Sequence, residues 1–288
     1  MKLLKKCPRG LTWFVPLIFL CSAPLMAQSI WLTSDQKSSV SLEIIKPSFE
    51  NYSGEIDTKL LNMVTFLSIK NHFQKDIAFV AEIPFANTNI EETYLYYAGG
   101  FTRETKSTTI GNPYLGLEIG DRNNHFTGNI GIRLPFTSIT ETDAAAMGII
   151  TDPDRAEAFG MKSAYLIMEA RSYLSLSNSN WLRLGAGPSF EIPTEGQNRE
   201  VESYVHYYAQ LLLSTEPLSV ITGFSGFMNA TASDWELSKM TIHQFGVTAA
   251  YNIGRFSPGF HIRVPLDKDL GDALNYVYGI NITVSLDK

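Results

Sequence analysis

Apolar and polar residues alternate with period two along much of this chain. In 125–136 the even positions are Phe126, Gly128, Ile130, Ile132, Leu134 and Phe136, while the odd ones include Thr127, Asn129 and Arg133. In 181–192 Leu182, Leu184, Ala186, Pro188, Phe190 and Ile192 alternate with Arg183, Gly185, Gly187, Ser189 and Glu191. Such alternation marks a strand with one greasy face and one small or polar face. The stretches Ile77–Phe85, Leu115–Ile119, Val205–Leu213, Phe260–Leu266 and Ile280–Leu286 repeat it, and 61–72 and 218–229 carry weaker forms.

The pattern predicts twelve strands, over 38–48, 61–72, 76–86, 111–121, 125–136, 161–176, 181–192, 202–214, 218–229, 239–252, 256–266 and 274–286. The links between them are short at every even step and longer at every odd one. A transmembrane barrel needs that rhythm, with tight turns at one end, long loops at the other, and strands of about 9–11 residues between them. The predicted fold is therefore all-β, a closed antiparallel transmembrane β-barrel of about 12 strands. Closure is obligatory, because an open sheet edge in hydrocarbon leaves amides unpaired. Aromatics fall at both ends as interfacial girdles would: Phe73, Phe126, Trp181, Tyr251 and Phe256 near the turns, and Phe49, Phe85, Phe136, Phe190 and Tyr276 near the loops. The polar DRNN at 121–124 is the turn between the fourth and fifth predicted strands. A secreted soluble β protein with an aromatic core is the bland alternative, and it has no reason for the turn rhythm.

The N-terminus reads as a secretory signal peptide: MKLLKK and Arg9, an apolar run from Leu11 to Cys21, then SAPLMA, with cleavage expected after Ala27. The domain expectation is a signal peptide at 1–27 and one barrel domain at 28–288. Cys7 and Cys21, the only cysteines, would leave with the leader, so the mature chain is expected to carry no thiol or disulfide. Four of the 23 basic residues would leave as well, and 19 against 29 acidic ones gives a charge of about −10. That balance argues against a nucleic-acid surface.

The segments GNPYLGLEIG and FTGNIGIRLPF, the portion DPDRAEAF at 152–159, and the closing SPGFHIRVPLDKDLGDALNYVYGINITVSL resemble outer-membrane proteins grouped as phenol-degradation meta-pathway transporter-like barrels. The resemblance runs over most of the mature chain. It implies a barrel of about this size that takes up small aromatic or apolar molecules, with no catalytic residues to carry over. One departure is the ending Leu286, Asp287, Lys288 where such barrels commonly close on an aromatic, although Gly279, Ile282 and Val284 keep the strand pattern.

The expected lumen-lining charges are Glu82, Glu118, Glu169 and Glu191 against Arg133, Arg171, Arg183 and Arg263, with His206 and His261; Glu43, Gln210 and Asn281 share the inward pattern. Their signs nearly balance, which favours mutual neutralisation over an ion-selective track. Glu82, Glu118 and Arg133, on three successive predicted strands, form the expected structural cluster. The long loop 87–110 holds Tyr94, Tyr96, Tyr97 and Phe101, either an apolar constriction folded into the mouth or aromatics packed on the rim. The second long loop carries Asp152 as a helix cap with Pro153 at the first position, a short plug or lid helix or simple loop tidying.

Enzymatic and metal readings are weaker. The acidic residues Glu141, Asp143, Asp152, Asp154, Asp267, Asp269 and Asp272 lack a full calcium loop and read as solvated loop charge. His72, His125, His206, His243 and His261 are scattered without zinc spacing. No His-x-Ser pair supports a lipid hydrolase, so no catalytic residue, metal or cofactor is expected. The sequence points to a passive outer-membrane channel for a small, apolar or aromatic solute. A structural or surface-interaction barrel with a blocked lumen is the alternative, and a lipid hydrolase ranks third. The expected setting is the Gram-negative outer membrane, with membrane lipid, lipopolysaccharide, the barrel assembly machinery and the solute as partners.

Overall fold

A computed structural model describes residues 29–32, 38–49, 56–94, 101–121, 125–138, 140–194, 201–231 and 240–287. The leader expected at 1–27 and turn residues 122–124 lie outside the described residues.

The strands are β1 (Ser39–Phe49), β2 (Ile56–Gln74), β3 (Ile77–Tyr94), β4 (Phe101–Ile110), β5 (Tyr114–Asp121), β6 (Phe126–Arg133), β7 (Ser163–Ser175), β8 (Asn180–Pro193), β9 (Ser203–Thr215), β10 (Leu218–Asn229), β11 (Thr241–Tyr251), β12 (Phe256–Pro265) and β13 (Leu274–Ser285). All pairings are antiparallel. β4 pairs with the outer half of β3, from Phe85↔Ile110 to Tyr94↔Phe101, and β5 with its inner half, from Ile77↔Ile119 to Glu82↔Tyr114. They are two pieces of one interrupted strand, so the ring has twelve strand positions. β1 closes it by pairing with both β2 and β13. At the seam Ser38 N donates to Asp287 Oδ2 at 2.9 Å, and Leu286 N to Ser38 O at 2.8 Å.

Period two sets the two faces. Leu117, Ile130, Leu184, Leu211, Phe245, Ile262 and Ile280 are exposed, while their chain neighbours Glu118, Asn129, Arg183, Gln210, Gln244, His261 and Asn281 are buried. A soluble fold would bury the first set. Here the apolar side chains form an outer belt and the polar ones fill the inside, the arrangement that a bilayer demands of a barrel. Phe126, Tyr251 and Phe256 are exposed at the tight-turn end, as are Phe85, Phe136 and Tyr276 toward the other. Among the described residues no helix is long and apolar enough to cross a membrane.

The segment 87–110 departs from its expected loop. Hydrogen-bonded pairing with β2 and β4 carries β3 out to Tyr94, so β2, β3 and β4 rise together as a three-stranded extension. The cause is composition: Thr88, Thr93, Thr102, Thr105, Thr108 and Thr109 are β-branched, and cross-strand pairs such as Asn87 with Thr108 (2.7 Å) and Asn89 with Glu104 (2.9 Å) link the two edges. Period-two reading missed it because both faces of this extension are polar.

Leu184 is 39% exposed on the belt, and Arg183 beside it is 1% exposed inside. Leu184→Arg is expected to lower the folding free energy by about 2–4 kcal/mol if the position lies near midplane. A folding titration into lipid vesicles, read by the slower gel migration of boiled samples, checks it; no loss relative to wild type would overturn the facing.

Candidate functional site

The interruption at Gly111-Asn112-Pro113 directs the chain that follows β6 into the barrel. Pro113 has no N–H to continue the ladder. A Cβ on Gly111 would lie 2.2 Å from Ala158 O, so only glycine admits this close approach. Asn112 is fully buried and works as a staple. Its Nδ2 donates to Gly160 O at 2.6 Å and Glu157 O at 3.1 Å, its backbone N–H to Ala158 O at 2.6 Å, and its Oδ1 accepts from the N–H groups of Phe136 (2.9 Å) and Thr137 (3.0 Å). One side chain thereby ties both ends of the connection 134–162 to the wall.

The middle of that connection forms helix α1 (Thr142–Thr151) and a 3-10 helix (Pro153–Ala158). Ala144, Ala145, Ala158 and Phe159 are fully buried against Ile45, Val64, Phe66, Leu274 and Val277 of the inner wall. Small residues allow the close approach, and Phe159 meets Phe66 edge-on at 6.0 Å. Arg155 then reaches carboxylates on separate strands: Nη2 to Glu43 Oε2 at 2.6 Å and Nη1 to Glu82 Oε2 at 3.0 Å, with Nε to Asp152 Oδ2 at 2.7 Å and its Cζ 3.3 Å from the Phe66 ring centre. Arg133 Nη2 donates to the other oxygen of Glu82 at 2.7 Å, Arg263 Nη1 to Asp152 Oδ1 at 2.6 Å, and Glu157 meets His206 at 2.5 Å. The segment is a plug clamped to β1, β3, β9 and β12.

Two readings of this stretch change. Asp152 and Asp154 were expected as solvated loop charge, but Asp152 has no exposed surface, because the connection folds inward. Asp152 does stand at the cap position of the 3-10 helix with Pro153 at its start, but its carboxylate makes no cap hydrogen bond and serves Arg155 and Arg263 instead. Burial alone would raise its pKa, but those two guanidiniums outweigh burial and hold it at about 2. Desolvation, and the charge of Asp152 beside it, raise the pKa of Asp154 from its ordinary value.

A second segment enters from the other end. Ile30, Trp31 and Leu32 are buried, and Trp31 packs among Tyr173, Tyr208, Leu212 and Ile221. Its indole Nε1 donates to Asp154 Oδ2 at 2.8 Å, and Arg183 donates to Ile30 O. The two inward segments touch through that indole–carboxylate bond.

The expected cluster of Glu82, Glu118 and Arg133 divides. Glu82 and Arg133 join the plug network, whereas Glu118 takes Lys70 and Arg171, the latter at 3.2 Å, and Arg171 Nε donates to Glu169 at 3.0 Å. Tyr208 OH donates to Glu169 as well. Arg183 binds Gln210 Oε1, Glu191 accepts from Ser163 and Tyr204, and His261 Nδ1 lies 3.6 Å from Glu43. Strand register separates the two groups: Glu118 pairs with Ala78, and Glu82 lies four residues further along β3, two inward positions nearer the loop end, where Arg155 of the plug reaches it. Sequence reading passed over Lys70, Asn112 and Trp31. Lys70 follows the inward pattern of β2, which was legible; the roles of Asn112 and Trp31 depend on where a loop and a terminal segment travel.

Tyr94 and Phe101 face each other across the tip of the β3–β4 extension with ring centres 6.0 Å apart, and Phe101 is 56% exposed. Tyr96 and Tyr97 lie outside the described residues. The histidines stay dispersed: His243 bridges Tyr207 (2.6 Å) and Asp267 (2.9 Å), and His125 bonds Tyr173 O. Among the described residues no group of three His, Cys, Asp or Glu could hold a metal ion.

In structure the chain is similar to the COG4313 outer membrane channel from Pseudomonas putida F1, with a TM-score of 0.56 at 9% identity, covering 90% of this chain and 99% of that one. The fold is that of an outer-membrane barrel. Less close are the CymD monoaromatic hydrocarbon channel, with a TM-score of 0.46 at 10% identity over 88% of this chain and 90% of that one, and the NanC porin, at 0.42 and 6% over 86% and 100%. No family model and no curated protein matches the sequence.

Removing Arg155 leaves Glu43, Glu82 and Asp152 without their shared cation, and breaking a buried pair this way costs on the order of 3 kcal/mol. Arg155→Leu is expected to free 142–158 for proteolysis in the folded barrel; cleavage no faster than in wild type would contradict the clamp. The pH response follows from the carboxylates. Asp152 contributes stability above its unfolded pKa of about 3.9 and loses it only as pH falls toward 2. Protease resistance of 142–158 is therefore expected to hold from pH 7 to about pH 4; its loss near pH 5 would show that other groups hold the plug.

Proposed function

We propose that this protein is a passive channel of the Gram-negative outer membrane for a small apolar or aromatic solute, and that it acts without catalysis. The observation that carries this reading is the makeup of the obstruction. Two non-strand segments fill the lumen and are held by side chains, so the barrel can stay closed while they shift. A merely structural barrel would need no such detachable filling. The inner apolar clusters around Phe66 and Phe159, and around Trp31, Tyr173 and Tyr208, are covered while the two segments are seated, and a shift of the segments would bare them to an aromatic solute. In this reading the clamp on 142–158 is the gate, while Tyr94 and Phe101 belong to a rim that meets lipopolysaccharide. Insertion would depend on the barrel assembly machinery.

The full pairing of the buried plug charges favours one second reading, a permanently blocked barrel with a surface role. Uptake of a fluorescent aromatic hydrocarbon into proteoliposomes separates the two. The channel reading expects uptake above protein-free vesicles, increased several-fold by Arg155→Leu. Equal uptake by wild type, Arg155→Leu and protein-free vesicles would contradict it.

A further inference from the structure

The two inward segments reach the middle of the lumen from opposite ends. The connection 134–162 folds in from the loop end, whereas 29–32 belongs to the turn end, where β1 begins with Ser39 between Lys70 and Ser285. Residues 29–32 are all buried and turn back on themselves, with Leu32 N–H donating to Ser29 O at 3.1 Å. So short a segment has little of its own to hold it, and the wall must supply the order.

The wall forms a socket for the Trp31 indole. Tyr173 of β7, Tyr208 and Leu212 of β9, and Ile221 of β10 surround the ring. Gly246 of β11 leaves space for its edge, since a Cβ there would lie 2.8 Å from Cη2. Arg183 of β8 donates to Ile30 O, so the backbone beside the indole is held as well. An indole is apolar over its face and carries one donor at its edge. Fully buried, that donor needs an acceptor, and it finds one on the plug.

Asp154 is the plug carboxylate with the loosest grip on the strands. Asp152 has Arg155 and Arg263, each at 2.6 Å, and Glu157 has His206 at 2.5 Å, whereas Asp154 meets Arg263 at 3.7 Å. Its Oδ2 accepts instead from Trp31 Nε1 at 2.8 Å. An indole N–H that loses this acceptor inside the socket is left unsatisfied, which costs more than the bond itself contributes. The bond therefore opposes any motion that parts the two segments.

We propose that Trp31 is a latch on the plug: seated in its socket at the turn end, it holds Asp154 and with it residues 153–158, so that the two inward segments release together. The coupling is reciprocal by thermodynamic necessity. Whatever factor release of 29–32 adds to plug release, plug release adds to that of 29–32. A pull on 29–32 from the periplasmic end, where the tight turns of such a barrel lie, would in this way loosen a plug that Arg155 clamps to the wall. The latch rests on the gate reading only for its use in transport, and its test follows the two segments without any transported solute.

A double-mutant cycle read by hydrogen exchange of the native barrel tests the latch. Trp31→Phe keeps a ring in the socket and removes the donor. Amide exchange at 153–158 should then rise by about ten-fold or more while β6 and β7 keep their protection. In an Asp154→Ala background the same change should have less than about a two-fold effect, because the bond is already gone. Chemical rescue separates the bond from the packing. Trp31→Gly empties the socket, and added indole should restore slow exchange at 153–158, whereas 1-methylindole, which has the ring without the N–H, should not. Reciprocity is read at the other partner. In a Cys7→Ser, Cys21→Ser background, Leu32→Cys should react with a small charged thiol reagent about ten-fold or more faster once Arg155→Leu has loosened the plug. Unchanged exchange at 153–158 in Trp31→Phe, an equal effect of that change with and without Asp154, equal restoration by indole and 1-methylindole, or equal labelling of Leu32→Cys with and without Arg155 would each overturn the latch.

Discussion

The guanidinium of Arg155 fastens the inward connection to the barrel wall. It brings one connecting segment to carboxylates on β1 and β3, and through Asp152 it draws in Arg263 of β12. Buried charge is tolerable only where partners are complete, and completeness here requires the loop and three separate strands to be in place together. An interior of apolar side chains would fill the same space without specifying which segment belongs there. A charged interior specifies it, because a plug displaced by one turn leaves several carboxylates unanswered.

That clamp depends in turn on the broken strand. The interruption at Gly111-Asn112-Pro113 lets Asn112 hold the backbone of Glu157, Gly160 and Phe136 at once. The outer half of the interrupted strand, β4, continues upward with β3 and supports α1 from the loop side. Gating, in the proposed function, then becomes a local event: loosening the Arg155 cluster or the Asn112 staple would move the filling without opening the hydrogen-bonded ring, whose edges cannot be left unpaired in lipid.

The barrel was legible in the sequence because lipid enforces a strict rule on every crossing. Leu184 beside Arg183 and Ile262 beside His261 announce their faces, and the short links announce their end of the barrel. Lumen contents obey no such rule. Nothing in period two distinguishes a loop that stays outside from one that turns in, so Asp152 read as solvated charge and Tyr94 as loop although it lies in a strand. A hint was present in the composition of 142–159, where Ala144, Ala145, Ala146, Ala156 and Ala158 accompany Arg155. Alanines and one arginine suit a crowded interior better than an exposed loop. The aromatic at position 31 gave no comparable signal, since a residue just beyond an expected cleavage site carries no periodic context.

Hydrogen exchange of the native, detergent-solubilised barrel measures the central claim directly. If 142–158 sits clamped in the lumen, its amides should exchange on the slow timescale of the strands β6 and β7 that flank it, and Arg155→Leu should bring them to the rate of the outer connections. Fast exchange of 142–158 in the wild-type protein, with the strands protected, would show that the plug is not held, and the account of a gate built on Arg155 would fail.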